Sequence, residues 1–217
     1  MTLNVSYLIL DLDDTIYPIS TFPREVSKPF FKAIEKANDV LSPSVLEQAL
    51  EDSWFIPFFD LAQKYQFTEA MIAAALNSLA TLPKLEIEPF PDYKLVRKLN
   101  IPQYLVTSGM TTLQKKKVEA LAIGDDFLET LINDPFEGVQ GGKKSLFQKL
   151  ISTHSLKPES GLVVGDNVDS ELAAAYALGI PTVLIDRLER YPQVPAWIDY
   201  QFQDFEDMIA SLELGGG

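Results

Sequence analysis

Three apolar stretches of the sequence end in polar residues of the kinds that take part in catalysis. The polar segments are residues 11–15 (DLDDT), residues 107–109 (TSG) and residues 165–167 (GDN). In an open α/β sheet, the working groups collect just beyond the carboxyl ends of the strands. Carboxylates gathered at such an edge can bind a hard divalent cation, attack an electrophile and transfer protons. We therefore expect these three segments to meet in one site.

Short buried strands and helices must position these groups. Apolar runs predict strands at residues 7–10, 104–106, 162–164 and 182–185, and a weaker one at residues 130–132. Between them, helical patterns cover residues 113–121, 145–151 and 172–178, and the last pattern ends at Gly179 as at a C-cap glycine. The alternation of strand and helix predicts an α/β fold with a doubly wound parallel sheet.

A long segment after the first strand breaks this alternation. It contains four consecutive helical patterns, near residues 24–38, 44–54, 57–65 and 68–80, with prolines at both ends. We therefore predict an α/β core domain of residues 1–16 and 92–217, carrying a small all-helical cap domain of residues 17–91. The three glycines at residues 215–217 are expected to be a frayed tail.

Composition limits the possible partners and chemistry. The 217 residues carry a net charge of −13, which repels nucleic-acid polymers and anionic membrane surfaces. No apolar run approaches the roughly 20 residues that cross a bilayer, so we expect a cytoplasmic protein. The absence of cysteine excludes sulfur nucleophiles and thiolate metal sites, and the single histidine, His154, excludes a two-histidine metal site. We expect His154 to have a surface or capping role.

The three polar segments, in this order, resemble those of the haloacid dehalogenase-like superfamily, whose members are mostly phosphatases. Its first motif, an apolar strand followed by Asp-x-Asp-x-Thr, is matched in full by Asp11, Asp13 and Thr15. The resemblance covers nearly the whole chain and implies a Rossmann-like core. It also implies that Asp11 is a covalent nucleophile, that Asp13 is the general acid and base, and that Thr15 helps to bind the substrate.

The resemblance further implies a Mg²⁺ ion, held by Asp11, the backbone carbonyl of Asp13, and Asp166. A carboxylate that attacks a phosphate approaches another negative group, and a hard cation bound to both offsets the charge. Covalent attack forms an acyl phosphate, which divides a difficult displacement into two easier steps. We therefore expect Mg²⁺ as the cofactor.

The second motif of the superfamily is a hydroxyl residue at a strand end, which Thr107 matches. Its hydroxyl would donate a hydrogen bond to a phosphoryl oxygen, with Ser108 and Gly109 contributing to substrate binding. Without the other segments, the same residues would read equally well as a turn or cap before the next helix.

The third motif is a lysine at the start of a helix, where it stabilises the negative charge around the nucleophile. Two lysines compete for this role, because Lys143 and Lys144 both follow a pair of glycines and precede a helical pattern. We favour Lys143, which stands four residues before the apolar Phe147.

The fourth motif pairs Asp166 with a second acid that could position a metal-bound water or the lysine. Counting back from Gly179 favours Glu171 as this acid. Asp169 is the alternative, although it comes one residue before the position usual in the superfamily. An acid here also suits a helix N-terminus, and for Asp169 we favour the role of N-cap.

Together these features predict a Mg²⁺-dependent phosphatase that hydrolyses a small phosphomonoester bound between core and cap. A sugar phosphate, a phosphoglycolate-like acid or a nucleotide would suit the type of cap that the resemblance implies. Cap aromatics such as Trp54, Phe55, Phe58 and Phe59, together with Tyr17, are expected to form apolar core more often than to touch substrate.

Three alternatives share the fold. A phosphomutase would use the same groups but return the phosphoryl group to a sugar phosphate. A 2-haloacid dehalogenase would share the nucleophile Asp11, but it needs neither Asp13 nor a metal cluster, so the presence of Asp13 and Asp166 speaks against it. A noncatalytic binding protein would not need the full set of motifs.

Overall fold

The computed structural model describes residues 5–138, 141–212 and 214. Within these residues the centre is a sheet of six parallel strands in the order β3-β2-β1-β4-β5-β6. The strands are β1 (Tyr7–Leu10), β2 (Gln103–Ser108), β3 (Glu129–Asn133), β4 (Gly161–Gly165), β5 (Thr182–Ile185) and β6 (Tyr200–Phe202). Helices flank the sheet, so the predicted doubly wound α/β fold is confirmed.

Strand β1 lies where the chain changes its direction across the sheet. From β1 the order runs through β2 to β3 on one side, and through β4 and β5 to β6 on the other. Such a switch point opens a crevice at the carboxyl ends of the central strands. Because Leu10 is paired with Val164, the polar residues that follow β1 and β4 lie beside each other at this crevice.

Burial on both faces explains why apolar runs identified the central strands. All residues of β1, β4 and β5 are buried. Along β1, Tyr7 and Ile9 pack into one hydrophobic cluster with Phe147, whereas Leu8 and Leu10 pack into a second cluster with Phe205. The sheet is therefore covered by a layer of side chains on each face, as expected for parallel strands.

The chain between β1 and β2 forms the cap helices, α1 to α4. These are α1 (Lys28–Ala37), α2 (Pro43–Asp52), α3 (Phe58–Lys64) and α4 (Glu69–Leu79). They share a hydrophobic cluster of their own, which includes Phe30, Ile34, Leu61, Met71 and Ala75. The helices lie where the sequence predicts them, and the division into a core of residues 1–16 and 92–217 and a cap of residues 17–91 stays a prediction.

The other helices connect the strands of the sheet. They are α5 (Tyr93–Val96), α6 (Thr111–Ala120), α7 (Gly142–His154), α8 (Ala173–Tyr176) and α9 (Phe205–Ser211). The prediction of a regular helix over residues 172–178 is only partly right, because a π-helical turn, Val168–Leu172, precedes α8. Turns of this kind occur frequently at functional sites.

Strand β6 and helix α9 are not among the predicted elements. Strand β6 has only three residues, Tyr200–Phe202, none of which is buried, so it lacks an apolar run. None of the helices in the described ranges has the length and apolar character needed to cross a membrane. The tail predicted at residues 215–217 lies outside the described residues.

Candidate active site

Three buried carboxylates meet at the crevice beside β1 and β4. Asp11 follows β1, Asp166 follows β4, and Glu171 projects from the π-helical turn. One oxygen from each of the three lies within 4.8 Å of the others. Their exposed fractions are only 6%, 7% and 2%, respectively. The strand pairing thus brings together residues that are up to 160 positions apart, and the convergence of Asp11 and Asp166 expected from the sequence is present.

Lys143 supplies the positive charge within this cluster. Its Nζ lies 2.6 Å from Oδ1 of Asp11 and 2.8 Å from Oε2 of Glu171. The lysine stands in the first turn of α7, just after Gly141, whose φ of +87° turns the chain into the helix. Lys144, one residue later, is exposed. Of the two candidate lysines, the structure therefore places only Lys143 beside the predicted nucleophile.

The structure also separates the two candidate second acids. Oε1 of Glu171 accepts a hydrogen bond of 2.8 Å from the backbone N–H of Asn167, while its other oxygen binds Lys143. Asp169 is exposed, and its backbone N–H donates to Oδ1 of Asn167 at 2.9 Å. The N-cap role favoured for Asp169 is therefore wrong, because Asn167 takes that position. Glu171 is the acid that belongs to the cluster.

Gly165 leaves the space that Glu171 occupies. A Cβ atom at position 165 would stand 2.3 Å from Oε1 of Glu171, closer than real contacts allow. The last residue of β4 must therefore be glycine for the carboxylate to fold back over the strand end. The glycine and the π-helical turn together set the position of the Glu171 carboxylate, which bonds to Lys143.

Burial makes this cluster electrostatically demanding. It raises the pKa of Asp11 well above its ordinary value, and Lys143 opposes that rise while Glu171 and Asp166 add to it. Burial also raises the pKa of Asp166 to about 6, with a further contribution from Glu171. For Lys143, burial acts to lower the pKa, but Asp11 and Glu171 hold it above its ordinary value. The three carboxylates thus favour an additional cation beyond Lys143.

The donor atoms of the cluster fit a magnesium ion. Carboxylate oxygens are the hard ligands that Mg²⁺ prefers, and Asp11 and Asp166 present them from neighbouring strand ends. Glu171 bonds to Lys143 through one oxygen and to the N–H of Asn167 through the other, so it holds the lysine in place. Thr15, which is fully buried, donates from its hydroxyl to Oδ1 of Asp166 over 3.4 Å.

Arg190 is a further cation at this site that the sequence did not reveal. Its guanidinium group contacts the carboxylate of Asp166, and its Nη2 lies 3.2 Å from the carbonyl oxygen of the same residue. It also approaches the carboxylate of Asp14 to 3.8 Å. Arg190 lies in the segment after β5, far in sequence from every recognised motif, and no spacing pattern marks it. Its positive charge offsets part of the negative charge of the Asp166 carboxylate.

Asp13 is held by two residues from one face of α6. Nζ of Lys117 lies 2.8 and 2.9 Å from the two carboxylate oxygens of Asp13, and Nε2 of Gln114 lies 3.1 Å from one of them. Gln114 and Lys117 are only 1% and 4% exposed. These contacts fix the direction of the Asp13 carboxylate, two residues after Asp11.

The second-motif residues line the same edge. Thr107 is buried, and its Oγ1 accepts a 2.7 Å hydrogen bond from Gln114, which leaves the hydroxyl proton free to be donated. Ser108 is exposed, and its Oγ lies 3.2 Å from Nδ2 of Asn133. The N–H of Gly109 donates to the carbonyl oxygen of Asn133 at 3.0 Å, so this amide is engaged within the protein.

His154 lies apart from these residues at the end of α7. Its Nε2 is 2.9 Å from Oε2 of Glu129, and its ring packs against Tyr104 at 4.9 Å between centroids. This half-buried position at the last turn of the helix suits a structural role.

A cavity of about 720 Å³ opens beside Asp13, between the sheet edge and the cap helices. Ser108, Gly109 and Lys117 border its lower end. The cavity gives a molecule access to the carboxylate edge of the sheet from the side of the cap helices.

The fold is an α/β fold with a buried cluster of carboxylates at the switch point of a parallel sheet. The sequence profile of the haloacid dehalogenase-like hydrolases matches residues 5–179. The chain belongs to this family. The sequence predictions of the family and of a phosphohydrolase are therefore confirmed at the level of the enzyme class.

Two relatives align with nearly the full chain. The glyceraldehyde 3-phosphate phosphatase of Methanopyrus kandleri is 26% identical, and the alignment covers 93% of this chain and 92% of the relative. Enolase-phosphatase E1 of Persephonella marina is also 26% identical, with 96% and 100% coverage. Among solved structures, the chain is similar to the HAD-hydrolase YfnB of Bacillus subtilis, whose structure was determined with magnesium bound. The two superpose with a TM-score of 0.64 at 16% sequence identity, and the superposition covers 97% of this chain and 99% of YfnB. That similarity establishes the fold.

Proposed function

We propose that this chain is a Mg²⁺-dependent phosphatase that hydrolyses a phosphomonoester through a phosphoryl group covalently bound to Asp11. The observation that carries this proposal is the placement of Asp11 beside both Lys143 and Asp166, with Asp13 two residues further along the chain and held by Lys117. In this proposal Asp11 is the nucleophile, Lys143 compensates charge, Asp11 and Asp166 hold the cation, and Asp13 is the acid–base group.

Each residue has a definite part in the proposed reaction. Asp11 attacks phosphorus and forms a new O–P bond while the ester P–O bond breaks and Asp13 donates its proton to the leaving alcohol. In the second step Asp13 takes a proton from water, the water oxygen bonds to phosphorus, and the carboxylate of Asp11 leaves. The products are the alcohol and inorganic phosphate.

The surrounding residues stabilise charge and orientation. Mg²⁺, held by Asp11, the carbonyl of Asp13, and Asp166, would offset the negative charge of the phosphoryl oxygens. Lys143 neutralises part of the charge at the nucleophile, and Glu171 holds the lysine in place. Thr107, and in part Ser108, would donate hydrogen bonds to phosphoryl oxygens, a role for which the engaged amide of Gly109 is less suited.

The substrate class is a small phosphorylated metabolite. The two relatives that align over nearly the whole chain are named for a triose phosphate and for an enolase-phosphatase activity, which supports a phosphomonoester substrate here. The acidic net charge of −13 argues against a polymeric nucleic acid. A cytoplasmic location remains our expectation from the sequence.

A panel assay tests this proposal. Phosphate release is measured for a series of phosphomonoesters, with Mg²⁺ or with a chelator, for the native protein, for Asp11→Asn and for the exposed control Asp169→Asn. We expect turnover only by the native protein and the control, and only with Mg²⁺. Comparable turnover by Asp11→Asn would exclude the covalent scheme. Transfer of phosphate to a second sugar, seen by product analysis, would instead identify a phosphomutase.

A further inference from the structure

The cavity beside Asp13 has an aromatic wall. Its lower end reaches Asp13 and Ser108 at the sheet edge, and its upper part lies against the cap helices. Eight aromatic residues line the cavity: Phe30 and Phe58, which belong to the buried cluster of the cap helices, and Phe22, Phe31, Trp54, Phe55, Phe59 and Phe136. Most of these rings are half-buried rather than sealed in the cap core, so their faces and edges remain available to a ligand.

The rings are held in a fixed arrangement. Phe31 meets Trp54 edge to face, with centroids 5.4 Å apart at an angle of 85°. Phe59 meets Phe136 in the same manner, at 5.3 Å and 75°. Phe55 differs from them, because it is 84% exposed and yet lines the cavity. An apolar side chain so exposed gains favourable free energy when a ligand covers it.

Charged groups are few in this upper part. Arg24 lies over the ring of Trp54, with its guanidinium carbon 4.8 Å from the ring centroid, and Asp60 also borders the cavity. Lys117 and Asp13 are paired with each other at the lower end. Three serines, at positions 20, 27 and 53, also line the cavity, so ring surface predominates over ionic partners for the alcohol part of a substrate.

Size supports the same conclusion. Cavities of about 300–1,000 Å³ accommodate ligands of drug size, and this cavity measures about 720 Å³. The three-carbon, oxygen-rich substrate for which the Methanopyrus kandleri relative is named would fill little of it. Such a substrate would also leave the aromatic wall in contact with water, without the gain from burying apolar surface.

We propose that the preferred substrate of this site is a phosphomonoester whose alcohol carries a flat aromatic ring, bound against Trp54 and Phe55. This inference rests on the proposed phosphatase function and specifies its substrate class. The phosphate lies at the sheet edge near Asp11, and the ring extends into the cavity between core and cap helices. Ring stacking then provides the selectivity over polyol phosphates of similar charge.

Binding and turnover test the two proposals separately. Binding of 2-(naphthyl)ethyl phosphate, 2-(decahydronaphthyl)ethyl phosphate and glycerol 3-phosphate is measured by calorimetry on the whole chain carrying Asp11→Asn, with Mg²⁺ present. We expect the naphthyl ester to bind about tenfold more tightly than glycerol 3-phosphate, the factor that a few aromatic contacts provide, and more tightly than its saturated analogue. Turnover of the same esters by the native protein then tests the phosphatase function.

Variants of the wall locate the effect. Phe55→Ala and Trp54→Leu are each expected to reduce the ratio of naphthyl to glycerol ester affinity by about threefold or more. Leu128→Ala removes an apolar side chain that is 65% exposed but lies outside the cavity lining, and it should leave the ratio unchanged. Thermal melting confirms that each variant is folded.

The outcomes are distinct. Equal affinities for the naphthyl ester and glycerol 3-phosphate, or undetectable binding of the naphthyl ester, would overturn the aromatic preference whether or not the esters are hydrolysed. An unchanged ratio in both wall variants would do the same. Tight binding of the aromatic ester without any phosphate release would uphold the preference while refuting the phosphatase function.

Discussion

Removing the charge of Lys143 is the perturbation whose cost follows most directly from the site. Lys143 is 5% exposed on its side chain and bonds to Asp11 and Glu171, which are themselves buried, with Asp166 close by. In Lys143→Met the side chain keeps most of its apolar volume, but the three carboxylates lose the ammonium group between them. The loss is therefore electrostatic rather than a loss of packing.

The magnitude follows from breaking a buried ion pair. Removing one partner of such a pair costs about 3–5 kcal/mol, because the remaining charge stays buried without compensation. This is a large fraction of a total stability of roughly 5–15 kcal/mol. Protonation of Asp11 or Asp166, whose pKa values burial already raises, offsets part of the cost, so we expect a loss of about 3 kcal/mol at neutral pH. Adding Glu171→Gln removes one of the stranded charges, and we expect it to recover about 1 kcal/mol.

Urea unfolding without Mg²⁺ measures these differences. The native protein is compared with Lys143→Met, with Glu171→Gln, with the double variant, and with the control Lys144→Met, whose side chain is exposed. The control should lie within about 0.5 kcal/mol of the native protein. A loss below about 1 kcal/mol for Lys143→Met, or strict additivity in the double variant, would refute the reasoning that Lys143 compensates the buried carboxylates.

Three further predictions concern neighbouring residues. Glu171→Gln should lower kcat by about tenfold or more, because Lys143 loses the charged partner that holds it beside Asp11. The control Asp169→Asn should leave kcat unchanged. Steady-state phosphate release measures kcat for both variants. Lys117→Met should lower kcat by roughly tenfold with little change in KM, because the carboxylate of Asp13 loses the contact that orients it. Lys117→Arg keeps the positive charge and should retain part of the lost rate. Equal losses of kcat in the two variants would indicate that Lys117 acts only by packing. Arg190→Gln should tighten Mg²⁺ binding by a few-fold in calorimetry, because the guanidinium group no longer competes with the ion for the carboxylate of Asp166. Weaker Mg²⁺ binding in this variant would contradict the expectation.

The sequence was most informative where a single local rule decides the structure. Apolar runs identified the central strands β1, β2, β4 and β5, because central parallel strands are buried on both faces and are apolar almost throughout, whereas the edge strand β3, with one buried residue, gave only a weaker run. Strand β6 escaped detection because its three residues at the sheet edge are only half-buried or exposed. The π-helical turn before α8 also escaped, since its width depends on Glu171 folding back to Asn167, a contact that periodicity does not encode.

The same distinction holds for the site. Asp11, Asp13 and Asp166 stand directly after apolar strands, so their convergence follows from the topology of the sheet. Lys117 was missed because it sits in a run of three lysines that resembles a solvated helix face. Gln114 and Lys117 do share the buried face of α6 with Leu121 at the spacing i, i+3, i+7, but two of these three residues are polar, so a search for apolar periodicity does not find them.

The choice between Lys143 and Lys144 required the structure, because adjacent residues on a helix point about 100° apart and only the docking of α7 against the sheet decides which one faces inward. The aromatic wall shows a similar limit. Both Phe55 and Phe58 line the cavity, but Phe58 is buried in the hydrophobic cluster of the cap helices, whereas Phe55, three residues earlier, is largely exposed.

The central claim is that Asp11 carries the phosphoryl group during turnover. The native protein is mixed with an accepted phosphomonoester and Mg²⁺, quenched in acid within the first turnover, and analysed by peptide mass spectrometry. We predict one phosphoryl group on Asp11 in the peptide that spans residues 11–15, and none when Mg²⁺ is chelated or when Asp11→Asn is used. Full phosphate release without this modification, or a phosphoryl group on another residue, would contradict the account.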